Sequence, residues 1–249
     1  VYLGYDKSGP SQDEIDKVKK YNGFYVARYE AGLANGILEY TENQISNDSN
    51  SPGYNVAGIP KSKAEQLPWI FISQTNSKAN AENMYKNNSC VTSGLITGTQ
   101  WDVMLNKFIG TTNQNRVTFT EADIQKDSNK WGNYKNNNLI YTGRSATIFG
   151  IDGISYISPW GEKQINATTA TYTEYTTGAS KIAEAYHIYD VAGNVWEWTE
   201  EIGKSINHRA LRGGAFSHVS GFPVCYRDGN GADDGVYSGI GFRVVLYMK

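Results

Sequence analysis

The chain has 249 residues, 39% of them hydrophobic and 19% charged, with a formal net charge of −2. That composition supports a packed core and excludes a mainly disordered chain. The near-neutral balance, with no basic block, excludes a nucleic-acid partner, and no apolar run is long enough to cross a bilayer, so direct membrane insertion is excluded as well.

"SQDEIDKVKKYNG" opens on a Ser cap, continues through an acidic first turn and later basic residues, and stops at Gly23, which predicts a short helix in a lead-in segment spanning 1–22. From residue 23 to 249 the chain reads as one domain, without repeats or a linker-like break. "GFYVARYEAG" (Gly23–Gly32) alternates apolar and polar residues and predicts a strand. About forty residues rich in Asn, Ser, Gly and Pro follow, mostly loop. Helical spacing returns over Ser77–Asn87 and over Gly98–Phe108, where Trp101, Met104, Leu105 and Phe108 share one face. Between Thr111 and Ser180 periodicity is weak, and a long irregular region inside a domain is often functional. The end is orderly again. "GNVWEW" places Trp196 and Trp198 on one side of an extended segment with Glu197 opposite, and "GFRVVLY" reads as a terminal strand. Gly193–Asn194 suit a turn with positive φ, and the glycines of "RGG" let a backbone pass close to another element.

Chemistry-bearing residues are few. Cys90 and Cys225 are the only cysteines, too few for a disulfide framework, and they read as isolated buried thiols. The histidines are His187, His208 and His218, with no metal-type spacing; His187, on an apparent strand, reads as structural. No phosphate loop, dinucleotide fingerprint or nucleophile elbow is present. The chain starts at Val1 without an initiator Met and reads as a trimmed or processed form, so a missing signal peptide says nothing of compartment.

The succession "YDVAGNVWEWTEE", "RALRGGAF", "CYRDGN" and "GFRVVLY" resembles the formylglycine-generating-enzyme (sulfatase-modifying factor) family, as do "FYVARYEAG" and "LITGTQWDVML" at the places of its first strand and Trp-bearing helix. The resemblance covers nearly the whole chain from Gly23. It implies an α+β, C-type-lectin-like fold of short twisted antiparallel strands, few helices and much irregular loop, with the last strand beside the first. Oxidases of that family bind copper through two cysteines that closely follow "GG", soft ligands for Cu(I). Here His218 and Pro223 stand near those places and Cys225 lies two residues before Arg227, so no copper and no oxidase activity are expected; related iron-dependent sulfoxide synthases need a histidine cluster that is also missing. The resemblance further implies a Ca²⁺ site from Asp190 and Glu197 with the carbonyls of Gly193 and Val195, hard oxygen donors at a suitable spacing. The other reading of the same residues has Asp190 capping the turn and Glu197 paired with Arg243 or Arg212.

Proteins with a similar scaffold include the variable proteins of diversity-generating retroelements, in which adenines, mostly of asparagine codons, are randomised. Such codons cannot yield Lys, Gln, Glu, Met or Trp, and none of these occurs from Ser205 to Tyr247. Polar, Gly-rich loops can lack them for blander reasons. On the retroelement reading, the unpatterned stretch after "RGG" is a varied cassette in a fixed frame. Its candidate ligand-binding residues are Phe216, Ser217, His218, Val219, Ser220, Phe222, Tyr226, Asp228, Asn230, Asp233, Asp234, Val236, Tyr237 and Ser238, with aromatic anchors among adaptable polar groups. Phe216 is the one of these most suited to the core. The resemblance thus implies a non-catalytic receptor- or adhesin-like protein, outside a bacterial cell or on a phage particle, that meets a protein or glycan ligand on another cell or host surface. A carbohydrate-binding lectin-like surface protein and a degenerate enzyme homologue are the alternatives.

Overall fold

Ser11 opens α1 (Gln12–Tyr21): its hydroxyl accepts from the Glu14 amide at 3.2 Å, with Asp13 and Glu14 in the first turn and Lys19 and Lys20 in the last, each complementing the helix dipole. The structure, a computed structural model, describes residues 10–33, 54–114, 116–135, 147–150, 155–157, 173–219 and 221–249, the two short segments 147–150 and 155–157 by their backbone. The helix ends on Asn22, whose φ of 56° supplies the left-handed cap that the sequence assigned to Gly23. It packs onto the domain, with the Tyr21 and Tyr247 rings 5.5 Å apart and the Thr97 hydroxyl donating to Glu14.

The second helix, α2 (Gln74–Asn83), is capped by Ser73 and therefore starts and ends earlier than the Ser77–Asn87 reading. Its buried side chains are Gln74, Ser77, Asn80 and Ala81, so its inner face is largely polar. By contrast α3 (Gly98–Phe108) agrees at both ends. Thr97 and Gln100 form a reciprocal capping box, and the predicted Trp101, Met104, Leu105 and Phe108 face is buried. A short α4 (Glu121–Gln125), capped by Thr120 and Asp123, lies in the weakly periodic region.

The strands are β1 (Tyr25–Val26), β2 (Val91–Leu95), β3 (Thr147–Gly150), β4 (Ser155–Ile157), β5 (Thr173–Tyr175), β6 (Glu184–Ala185), β7 (Ile188–Tyr189), β8 (Trp196–Ile202), β9 (His208–Arg212), β10 (Asp228–Ala232), β11 (Ile240–Phe242) and β12 (Val244–Met248). They form sheets ordered β1-β12-β2, β10-β9-β8-β11 and β4-β3-β5, with β6 and β7 as a hairpin. The expected pairing of first and last strands is present, with Tyr25 opposite Leu246 and Val26 opposite Val245. The first strand is shorter than predicted. Past its end the contact continues singly, Ala27 N donating to Val244 O at 2.9 Å and Ala31 N to Phe242 O at 2.8 Å.

"GFRVVLY" is not one strand. It breaks at Arg243: β11 runs parallel to β8, with Phe242 opposite Trp198, and β12 crosses into the other sheet. The reason is the guanidinium at the break. It is fully buried, bonds both oxygens of Glu197 through Nε at 3.1 and 3.0 Å, and reaches the carbonyls of Ala27 and Tyr189. Trp196, Glu197 and Trp198 are all buried, so β8 is covered on both faces. One apolar cluster gathers Leu67, Trp69, Ile72, Trp198, Leu211 and Phe242; a second gathers Trp101, Phe108, Phe119, Trp131, Val191 and Val224.

Two sequence readings are corrected. Cys90 is exposed rather than buried, and Cys225 is only half-buried; both are free thiols. His187 is not a structural strand residue: it sits with Tyr186 in the two-residue turn between β6 and β7, exposed, because both adopt positive φ (51° and 64°) there.

Candidate ligand-binding face

The chain enters the candidate stretch through Gly213 and Gly214, at φ 91° and 83°. A Cβ on Gly214 would lie 2.7 Å from the Tyr134 ring, so the close passage requires glycine. Beyond it the segment is tied down at intervals. Ala215 and Phe216 are buried, the His218 carbonyl accepts from Lys135 N at 2.9 Å, and the fully buried Val224 donates its amide to Ser128 Oγ at 3.0 Å while its carbonyl accepts from Trp101 Nε1 at 3.1 Å.

Arg227 is the deepest tie. It and Arg212 share two carboxylates: Arg212 lies 2.6 Å from Asp102 Oδ1 and 3.2 Å from Glu201 Oε2, while Arg227 Nε lies 2.8 Å from Glu201 Oε1 and its Nη2 donates to Asp102. Charges balance two against two, and the Arg212 guanidinium also sits over the Trp101 ring at 5.7 Å. Both arginines are buried, so a network with every charge answered is what allows them to stay there.

Between these ties side chains gather around Trp196, with Tyr226 exposed, His218 half-buried, and Phe222 half-buried against the first apolar cluster. His218, Phe222 and Tyr226 ring this buried indole, with centroids 5.6, 6.3 and 6.2 Å from it. They also touch one another, His218 with Phe222 at 5.5 Å and Phe222 with Tyr226 at 5.0 Å in edge-to-face contact. Tyr226 is 36% exposed, Val219 46% and Tyr237 43%. Partial burial holds the His218 imidazole below its ordinary pKa, against the opposing pull of Asp228, so the ring is neutral at pH 7 and packs as an aromatic.

The other predicted residues divide. Ser217 and Val236 are half-buried, Val236 packing on the first apolar cluster; Asp234 and Ser238 are exposed. Asp228 Oδ1 accepts from both the backbone and side-chain nitrogens of Asn230, at 2.9 and 2.8 Å. Asp233 is held apart from the rings, by Asn207, Thr75 and, at 3.8 Å, Arg209. Phe216 is corrected to a core residue: its amide bonds the Asn194 carbonyl and its ring lies under Gly239. Ser220 lies outside the described residues. Sequence reasoning missed Trp196 as the platform and Arg227, Asp102 and Glu201 as the tie; the first was legible only as core, and the second joins residues too far apart in the chain to leave a local signal.

At the neighbouring turn, Gly193 and Asn194 adopt φ 73° and 61°, and a Cβ on Gly193 would stand 2.1 Å from the Asn133 carbonyl oxygen. Asn194 donates to Glu30 Oε2 at 2.6 Å and accepts from Tyr175 N at 2.9 Å. Asp190 accepts from Gly178 N at 2.5 Å, and burial pushes its carboxyl up to about 7; burial likewise raises Glu30 and Glu197. Calcium does not fit this donor set as arranged. Both Glu197 oxygens face the Arg243 guanidinium, which already stands as the local cation, and among the described residues no three carboxylate, imidazole or thiol groups gather to hold a metal. Of the alternative reading of Asp190 and Glu197, the ion pair is present, with Arg243 rather than Arg212 as the partner, whereas the Asp190 carboxylate bonds the Gly178 amide instead of capping its own turn.

Near the places where the oxidases carry thiols stand His218, in the ring cluster, and the buried Pro223. Burial raises the Cys225 thiol, its Sγ lying 3.8 Å from the Gln125 carbonyl. No helix among the described residues is long and apolar enough to cross a membrane.

A comparison with curated proteins finds no match. Among solved structures, variable protein 1 of Treponema denticola is similar at 15% identity and a TM-score of 0.44, over 87% of this chain and 82% of that one. The model of the sulfatase-modifying factor enzyme 1-like domain matches residues 13–248, and it takes in the frame motifs, the tied segment and both strands that join the chain's ends. The chain therefore belongs to the sulfatase-modifying factor enzyme 1-like domain family and has its C-type-lectin-like fold.

Proposed function

We propose that this domain is a non-catalytic ligand-binding module, the variable protein of a diversity-generating retroelement, whose partner is a protein or glycan on another cell or host surface. On this reading its place is a bacterial surface or a phage particle. The observation that carries the reading is the partition of one stretch into buried ties (Val224, Arg227) and a ring cluster on Trp196 that is half-buried at His218 and Phe222 and exposed at Tyr226. A site built to vary must leave the core alone, since a large truncation there costs about 2–5 kcal/mol, whereas a few aromatic anchors worth at least ~2 kcal/mol each suffice for binding. The absence of Lys, Gln, Glu, Met and Trp from Ser205 to Tyr247 agrees with randomised asparagine codons.

Two measurements test it. In the gene's neighbourhood, a near-copy of the segment with adenines at the odd positions and a reverse transcriptase are expected; a lone gene sinks the retroelement reading. On a glycan array and on an array of surface proteins, the Phe222→Ala/Tyr237→Ala double variant is expected to lose the wild-type signals while melting within a few degrees of wild type. Unchanged signals from the folded variant would remove the binding role from this face, and aldehyde formation on a sulfatase-type peptide with copper and oxygen would restore the enzyme.

A further inference from the structure

A second surface shares no residue with the proposed face. Between α1, β1, α3 and the β6–β7 turn runs a groove of about 490 Å³. Phe24, Val26, Met104 and Ile188 line it together with the exposed Val103 and Tyr186. An apolar groove alone says little, but three features of this one specify an occupant.

The first is an open strand edge. Ala27 donates its amide to Val244, and Tyr25 pairs with Leu246 across the same ladder. By the alternation of an antiparallel pair, Val26 then turns its N–H and C=O to the opposite edge. The next residue on that edge, Arg28, has its carbonyl taken by Tyr189 N at 2.8 Å. The edge is therefore covered at Arg28 and, among the described residues, unpaired at Val26, where it borders the groove.

The second feature is charge. The lining carries the cations Arg28 and Lys107 and no carboxylate, while His187, also in the lining, lies 3.7 Å from the buried Glu184 carboxylate. Arg28 and Lys107 are both exposed, and neither forms an ion pair among the described residues.

The third is strain. Tyr186 and His187 hold successive left-handed conformations in a two-residue hairpin turn, the positions that Asn-Gly fills without cost. Two bulky rings there cost stability. The turn nevertheless presents Tyr186 at 59% exposure on the groove wall.

We infer that this groove takes an extended, acidic peptide segment of another protein, added as a strand to the open edge of β1, its apolar side chains between Met104, Ile188 and Tyr186 and its carboxylates at Arg28 and Lys107. Strand addition supplies affinity through the main chain and specificity through pockets for alternate side chains. A second copy of this chain is the weaker occupant, because an isologous contact would set the same basic rim against itself.

The test uses the full chain and three labelled, end-capped octapeptides: alternating valine and aspartate, alternating valine and lysine, and the aspartate peptide N-methylated at alternate residues. The aspartate peptide is expected to bind at least about tenfold more tightly than either control. The Arg28→Glu/Lys107→Glu variant, altered only at exposed positions, is expected to unfold like wild type and to prefer the lysine peptide. No binding of the aspartate peptide at millimolar concentration overturns the inference, and so does equal binding of the N-methylated form. Concentration-dependent dimers in sedimentation that Tyr186→Asp dissolves would hand the groove to a second copy and overturn it too.

Discussion

Tyr226 and Arg227 are neighbours in the chain and opposites in the structure. The tyrosine is 36% exposed and lies in the ring cluster over Trp196; the arginine is 5% exposed and locked between Asp102 and Glu201. The difference explains why this stretch has no period. Before β10 begins at Asp228 it does not follow the geometry of a helix or a strand but that of its ties, which come from α3, from the Ser128 region and from β8 at irregular intervals. A loop fixed in this way is held where it is tied and leaves side chains between the ties partly or fully exposed, which suits the variable face proposed above.

The contrast can be broken by experiment. Arg227→Ala leaves Asp102 and Glu201 with one cation between them and is expected to cost about 3 kcal/mol, read as a shift of the urea midpoint. Tyr226→Ala removes its ring contacts with Trp196 and Phe222 and is expected to cost about 1 kcal/mol in the same assay. Equal losses from the two would end the division into tie and face. The smallest effect concerns the frame's other charged centre: with Arg243 as its cation, the Asp190–Glu197 turn is expected to melt at the same temperature with and without EDTA. A lower melting point in EDTA would return calcium to that turn.

The two regions were also unequally legible. The helix α3 could be read to the residue because its apolar face and its capping box both lie within a dozen positions. The neighbouring α2 could not, since all its buried side chains but Ala81 are polar (Gln74, Ser77 and Asn80) and its start is marked only by Ser73. The pairing of the chain's ends came from motif order and was right, yet the break at Arg243 was not foreseen. Arg243 was one of two partners offered for Glu197, forty-six positions earlier, but nothing in the apolar run marks the arginine as the point where the strand breaks. At the site, the outward residues could be guessed from composition. The inward ones, Phe216 apart, depend on partners about a hundred residues away, such as Trp101 for Val224 and Asp102 for Arg227.

The placement of β12 has a consequence for how the molecule is made. It is the middle strand of its sheet, between β1 and β2, yet the ribosome delivers it after both. Until then the two outer strands have no partner, and Glu197 is without its guanidinium. Folding must therefore close over most of the chain's length at its last step, a slow kind of search that leaves unpaired edges open to other chains meanwhile. A reading-frame shift anywhere between Gly213 and Asn230 would scramble β11, Arg243 and β12 as well, so its product would lack the strand that completes the sheet.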